Sequence, residues 1–452
     1  MRRTGLPLVA TVVLGVALAG VLSVKGTVSN PVPHPGVTGP SAQSSALYCT
    51  GLTNARGELR GFVTFINTTG ATRQVVVHAI ATNAASAVAT AFTLGPYARQ
   101  VVTPTNLLVG DTYALAAQID GGGVSAEQVV TRPGTQAPCV NVGVTNWYAS
   151  GFDTTVESKA ILSIYNPTAT AAVFNVTTFS PGGFLSPAPL QGVSVGAHAV
   201  LTLDLGQEIV ATQNFGVQVS VLRGSLVIVG DQISRDTSSL NYGTSLLALT
   251  GTFPLVTTAA QAVAQVRIAN PGPASATVTL KVKIGKFIVA PQSTSVAPYS
   301  SSMITIRPNT AIPAAGEASL SMTSTQAVDA TLATGTRNGL TLSPLGTAVS
   351  RAVLSDVTGG GFAQATVTNA SSASSASTTV TWALLHHGVI ASTGLTPLGA
   401  GRTISLGQVL GGRAKLQGST VVLTSATPVL VVNAILTTSP VGVTMAAPLN
   451  GG

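Results

Sequence analysis

The chain has 452 residues, a net charge of +8 and only 8% charged side chains, where an average soluble domain has roughly 25%. Its 45% hydrophobic content supplies packed cores and excludes a solvated, disordered chain. Without Arg2, Arg3 and Lys25 the net charge is +5, with no concentrated basic surface, so nucleic acid is not an expected partner.

Arg2 and Arg3 precede a largely apolar run over 6–24. Positive charge stays in the cytoplasm, so everything downstream faces outwards. The run is long enough to anchor the protein in a membrane. Ala17-Leu18-Ala19 offers a competing outcome, cleavage after Ala19 and secretion. Residues 1–25 are therefore read as signal anchor or signal peptide, and 26–46 as a Pro/Gly/Ser-rich linker.

A short alternating strand ending in Asn then recurs four times, at Asn67, Asn166, Asn270 and Asn369, with spacings of 99, 104 and 99 residues. A period of that length is one domain per repeat. Two and four positions before each Asn stand Phe65 and Val63, Ile164 and Leu162, Ile268 and Val266, Val367 and Ala365, one apolar face. The intervening Thr64, Ser163, Tyr165, Arg267, Thr366 and Thr368 are mixed, which predicts strands alternating between core and solvent. Turn residues follow each Asn. Further short strands and turns argue for an antiparallel sandwich in each unit. The fold expected is all-β, tandem antiparallel immunoglobulin-like β-sandwich repeats over 47–138, 139–247, 248–350 and 351–449, after one N-terminal transmembrane or signal helix.

Cys49 and Cys139 lie at the two ends of the first unit. An exported chain meets an oxidising compartment, so the pair is expected to form a disulfide.

No catalytic constellation stands out, and neither a cofactor nor a metal site is expected. His386-His387-Gly388 falls on a hairpin turn in the repeat alignment, and adjacent residues on a strand point to opposite faces. Lys281, Lys283 and Lys286, the first two on one strand face, read as a solvated face, with contact to an anionic polymer or lipid the competing reading. The second unit holds Asp153, Glu157, Asp204, Glu208, Asp231 and Asp236, six of the 13 acidic residues. It opens with Trp147-Tyr148, and an aromatic face beside carboxylates suits a sugar. Trp147, Tyr148, Asp153 and Glu157 are therefore the candidate ligand platform. The competing reading makes Trp147 a core or interdomain anchor.

Trp147-Tyr148, Gly151, Asn166-Pro167 and Gly182-Gly183 resemble the pattern of an actinobacterial family of exported proteins catalogued as domain of unknown function 5719, most clearly over 139–350. The fourth unit departs from it, with Ala370 after the Asn. The resemblance implies export and β-sandwich repeats and supplies no catalytic residues. The leading expectation is a non-enzymatic, membrane-anchored or secreted cell-envelope rod with a scaffold or binding role, its partners cell-wall glycans or envelope proteins. The alternative is a carbohydrate-binding or carbohydrate-processing accessory protein using the second sandwich.

Overall fold

The computed structural model describes residues 45–448 apart from 54–60, 83–85, 131–134, 235–236, 258–262, 285–286, 307–316, 337–338, 346–348, 356–364, 370–376, 412–417, 436–441 and 446. The N-terminal anchor or signal segment, residues 26–44 of the linker, Asp236 and Lys286 lie outside the described residues, while Ser45 and Ala46, read as the end of the linker, open the first strand.

The first unit comprises β1 (Ser45–Thr53), β2 (Gly61–Asn67), β3 (Arg73–Ala81), β4 (Val88–Leu94), β5 (Arg99–Val102), β6 (Thr112–Ile119), β7 (Val124–Val130) and β8 (Thr135–Pro138). One sheet runs β1-β6-β3-β4 and the other β5-β2-β7-β8. Their facing sides share a core containing Leu47, Val63, Phe65, Val75, Leu115 and Ala126.

The second unit repeats this order with β9 (Asn146–Phe152), β10 (Ser158–Tyr165), β11 (Ala172–Ser180), β12 (Gly183–Leu185), β13 (Val193–Val195), β14 (Val200–Asp204), β15 (Phe215–Arg223), β16 (Val227–Ser234) and β17 (Thr237–Asn241). The third has β18 (Ala248–Thr257), β19 (Val263–Asn270), β20 (Ala276–Ile284), β21 (Phe287–Ile288), β22 (Gln292–Val296), β23 (Ser300–Ile306), β24 (Glu317–Thr336) and β25 (Gly339–Pro344). The fourth has β26 (Val349–Ser355), β27 (Ala365–Thr368), β28 (Thr378–His386), β29 (Val389–Leu398), β30 (Thr403–Ser405), the one-turn helix α1 (Leu406–Leu410), β31 (Thr420–Ile435), β32 (Gly442–Met445) and β33 (Ala447–Pro448). Each of these units has its own buried core.

With strands numbered by their counterparts in the first unit, so that β12 with β13 and β21 with β22 share the fourth position, the first strand pairs antiparallel with the sixth, and the seventh with the second: β1 with β6 and β7 with β2, β9 with β15 and β16 with β10. In the third and fourth units β24 and β31 supply the sixth and seventh positions as one long strand that passes from one sheet to the other. An immunoglobulin sandwich instead keeps its first strand beside the second and its last beside the sixth. The units are all-β sandwiches whose strand pairing differs from that order. The cause is that the chain crosses between sheets after the first strand and again between the sixth and seventh.

The four Asn residues occupy one equivalent buried corner. Asn67 Nδ2 donates to the carbonyls of Ala71, Leu94 and Gly95, Asn166 to those of Thr170, Val195 and Gly196, and Asn270 to those of Ala274, Val296 and Ala297. Asn369 donates to Leu398 O. Asn67, Asn166 and Asn270 thereby tie the turn each begins to a bend later in the same unit, and Asn369 reaches the corresponding bend; there Tyr97, His198, Tyr299 and Gly401 adopt positive φ.

The mixed face of the Asn strands is not solvated. Thr64, Ser163, Tyr165, Arg267, Thr366 and Thr368 are all buried, because the sheet containing the first strand of one unit covers the sheet containing the Asn strand of the next. Between units one and two, Ile80, Ala114, Tyr165 and Val227 form a shared cluster, with the Tyr48 and Tyr165 rings 5.9 Å apart. Between four and one, Ile66 packs on Val353 and Val422, and Ser355 Oγ donates to Glu127 Oε2. The eighth strands also touch in succession, β8 with β17, β17 with β25 and β25 with β32. β32 then pairs in parallel with β8 through Thr444 and Gln136. The units therefore close into a ring, and the rod expected from the sequence is corrected: covering each polar sheet with its neighbour bends the array back on itself.

Candidate functional site

The ordinary geometry of a half-buried strand puts Trp147 and Tyr148 on opposite faces of β9. Trp147 points inwards. It is 2% exposed, belongs to the second core, and its Nε1 donates to Tyr242 O at 2.8 Å. A Cβ at Gly243 would lie 2.5 Å from the indole, so glycine at φ +61° lets the backbone close over the ring. Trp147 thus has no face for a ligand.

The rest of the candidate platform is dispersed. Tyr148 is half-buried, its hydroxyl accepts from Gln218 Nε2, and burial followed by the nearby Asp329 raises its pKa. Asp153 is buried, accepting from Thr155 N at 2.8 Å and from the Thr155 hydroxyl. Glu157 is exposed in the loop before β10 at φ +65°. Trp147 is thus a core anchor, Tyr148 a half-buried strand position, and Asp153 and Glu157 flank the turn before β10.

The polar groups that the fold does assemble lie between units two and three. Ser150 Oγ donates to Arg267 O and to Thr331 Oγ1, each at 3.1 Å, and Arg267 Nη1 donates to Gly151 O at 2.7 Å. Burial lowers the Arg267 pKa, opposed by Asp153. Asp329 is pushed up to about 6 by burial, against hydrogen bonds with Ser150 and the Ala330 backbone. Asp231 is likewise raised to about 6 by burial, against hydrogen bonds with Ser238 and the Ser239 backbone. Both carboxyl groups lie inside the protein, hydrogen-bonded to neighbouring hydroxyls and backbone. Composition placed Asp231 among the acids of unit two, but it could not show that the strand face carrying it is covered.

Among the described residues no group of three or more His, Cys, Asp or Glu could hold a metal ion. His386 and His387 stand at the tip joining β28 to β29, rings stacked 3.9 Å apart, with the His386 Nδ1 3.0 Å from Ser419 Oγ. Lys281 is exposed and Lys283 half-buried on β20. The disulfide is present: Cys49 and Cys139 are bonded across a sequence separation of 90, with Cα atoms 4.7 Å apart. It ties β1 to the residue directly after β8.

The exposed aromatic surface lies elsewhere, where units two and three meet. Phe184, 56% exposed on β12, and Tyr299, 40% exposed at the bend before β23, have ring centroids 5.6 Å apart. Leu185 and Met303 are exposed on the same two elements. The sequence carried a usable signal here, an aromatic directly after the Gly182-Gly183 hairpin and another in the Ala-Pro-Tyr bend. Neither could be paired with the other without knowing how adjacent units pack.

No family model matches the chain, and no curated protein matches it. Among solved structures it is similar to an α-L-rhamnosidase from Streptomyces avermitilis complexed with L-rhamnose, at 12% identity over 73% of this chain and 45% of that one, with a TM-score of 0.16. It is also similar to a tetra-tandem repeat in the extending region of a large adhesion protein, at 14% identity over 91% of this chain and 97% of that one, TM-score 0.12. A third is an exo-chitosanase, CsxA, from Amycolatopsis orientalis, at 10% identity over 48% and 26%, TM-score 0.13. The chain spans less than half the length of the rhamnosidase. Likenesses with such TM-scores carry no argument about fold or activity.

Proposed function

We propose that this is an exported, non-enzymatic cell-envelope protein whose ring of sandwiches serves as a rigid binding or scaffold body. The observation that carries the reading is the placement of the polar groups. Hydroxyls and carboxyls at the unit junctions are used to hold sheet against sheet, and the candidate platform residues are absorbed into the core and a turn. The disulfide supports an oxidising compartment. The apolar run over 6–24 is read as the anchor or signal segment, the units as a variant of the immunoglobulin-like sandwich, and the chain as a relative of the exported actinobacterial family. Salt-resistant fractionation with membranes would establish the anchored form, and a mature N-terminus at Gly20 the secreted one.

A carbohydrate-binding accessory role is the second reading, favoured by the exposed Phe184 and Tyr299 rings, since aromatic faces bind apolar sugar surfaces. A panel of glycans and cell-wall polymers screened against the ectodomain tests both readings. Binding that Phe184→Ala and Tyr299→Ala each weaken, with Trp147 intact, supports the glycan reading. Turnover of any polymer on the panel would sink the non-enzymatic one.

A further inference from the structure

The joint between the first and second sandwiches holds a cavity of about 20 Å³ whose lining includes Tyr48, Thr50, Gln128, Val142, Trp147 and Tyr242. Most of the wall is apolar, formed by valines, aromatic rings and Pro138. Besides the hydroxyls of Tyr48 and Tyr242, the polar side chains in the wall are Thr50 on β1 and Gln128 on β7. Both are 0% exposed, and neither the Thr50 hydroxyl nor either end of the Gln128 carboxamide has a hydrogen-bond partner among the described residues. Buried polar atoms in proteins are almost always paired, and leaving several unpaired in one place is costly.

The volume decides what can pair them. About 10–15 Å³ of such space is enough for one water molecule, and a water needs two to four polar partners. An apolar guest would leave all of these atoms unpaired. Val142, 40% exposed, forms part of the wall and sets the site beside solvent.

We propose that this cavity is a water-binding site, holding one ordered water that bridges the Thr50 hydroxyl and the Gln128 carboxamide at the joint between sandwiches one and two. A bridging water is enthalpically close to a direct hydrogen bond. It joins the first and seventh strands of unit one, which belong to opposite sheets, beneath the Trp147 anchor of unit two. Ser163, buried at this same junction, and Thr64 and Thr366, buried at other unit junctions, also carry hydroxyls with no hydrogen-bond partner among the described residues. At the same point of the third unit Arg267 reaches the neighbouring backbone directly.

The test is a high-resolution crystal structure of the full ectodomain, together with thermal melting of Thr50→Val, Gln128→Leu and the double variant. The expected result is a single ordered peak within hydrogen-bond distance of Thr50 Oγ1 and Gln128. The melting losses of the two single variants should not add in the double variant, because either change alone removes the bridge. An empty cavity in the wild-type crystal would overturn the proposal, as would a direct Thr50 to Gln128 hydrogen bond. A double variant that melts above the wild type would also overturn it, since that is the behaviour of polar atoms buried dry. The wild-type crystal decides the matter even if a variant fails to fold.

Discussion

Replacing Asn166 tests the corner that defines the repeat. The side chain is fully buried and makes five hydrogen bonds. Nδ2 donates to the Thr170, Val195 and Gly196 carbonyls at 2.8, 3.1 and 2.9 Å, and Oδ1 accepts from Thr168 N and Thr168 Oγ1 at 3.0 and 2.7 Å. Asn166→Ala removes all five. At about 0.5–1.5 kcal/mol net per bond, with water able to reach the more exposed partners, the loss should be about 3–5 kcal/mol. Asn166→Asp keeps the shape and reverses the chemistry, because a carboxylate only accepts and would face three carbonyl oxygens. The charged form is therefore disfavoured and the folded-state pKa of the new carboxyl is raised above its unfolded value of about 3.9. Stability should then be highest below that pH, where the protonated acid can still donate one bond, and fall as pH rises. Urea unfolding of wild type and both variants at pH 4 and pH 8 measures this. An Asn166→Ala loss under about 1 kcal/mol, or an Asn166→Asp loss no more pH-dependent than the wild type's own slope, would refute the reasoning.

Four further outcomes are expected. Trp147→Ala should cost about 3–5 kcal/mol by emptying the second core, with ligand binding by the folded fraction unchanged; a variant of undiminished stability would show that the indole is not an anchor. Asp231 and Asp329 have folded pKa values raised to about 6 from 3.8, so their contribution is present below about pH 4 and lost as pH rises through about 6. The swing is on the order of 2–3 kcal/mol for each, and Asp329→Asn should flatten it; a wild-type profile already flat between pH 4 and pH 8 contradicts the burial argument. Replacing both Cys49 and Cys139 by Ala opens a loop with a sequence separation of 90, and equilibrium unfolding should show a loss of about 4–5 kcal/mol on the chain-entropy account. His198 sits at φ +50° where the fourth unit has Gly401 at φ +60°, so His198→Gly should leave the melting temperature unchanged or raise it, while His198→Val should lower it.

The strands next to each Asn were readable because their inward positions are apolar in all four copies, and a two-residue period has only one physical reading. Their other face was misread for an equally physical reason. Thr64, Ser163 and Thr366 are small hydroxyl residues that suit both solvent and a close sheet-to-sheet contact, and composition does not distinguish the two. Arg267 looked solvated because an isolated guanidinium belongs in water; its partner, the carbonyl of Gly151, is 116 positions away in sequence. The disulfide was legible from the place of Cys49 and Cys139 at the two ends of the first unit and from the export expected of the chain. Phe184 and Tyr299 were visible singly, but their meeting depends on the angle between two units, which no local pattern encodes.

Closure of the ring sets the order in which the protein can be completed. Glu127 in the first unit is buried under Ser355, 228 residues later, and β8 finds its parallel neighbour only when β32 has been made. Chains emerge from the N-terminus and fold unit by unit. The first sandwich must therefore wait with Ile66 and Glu127 uncovered while three more are assembled, and such distant contacts form slowly. A chain halted before the fourth unit would retain that open face, so completion of the last hundred residues is also the step that seals the first hundred.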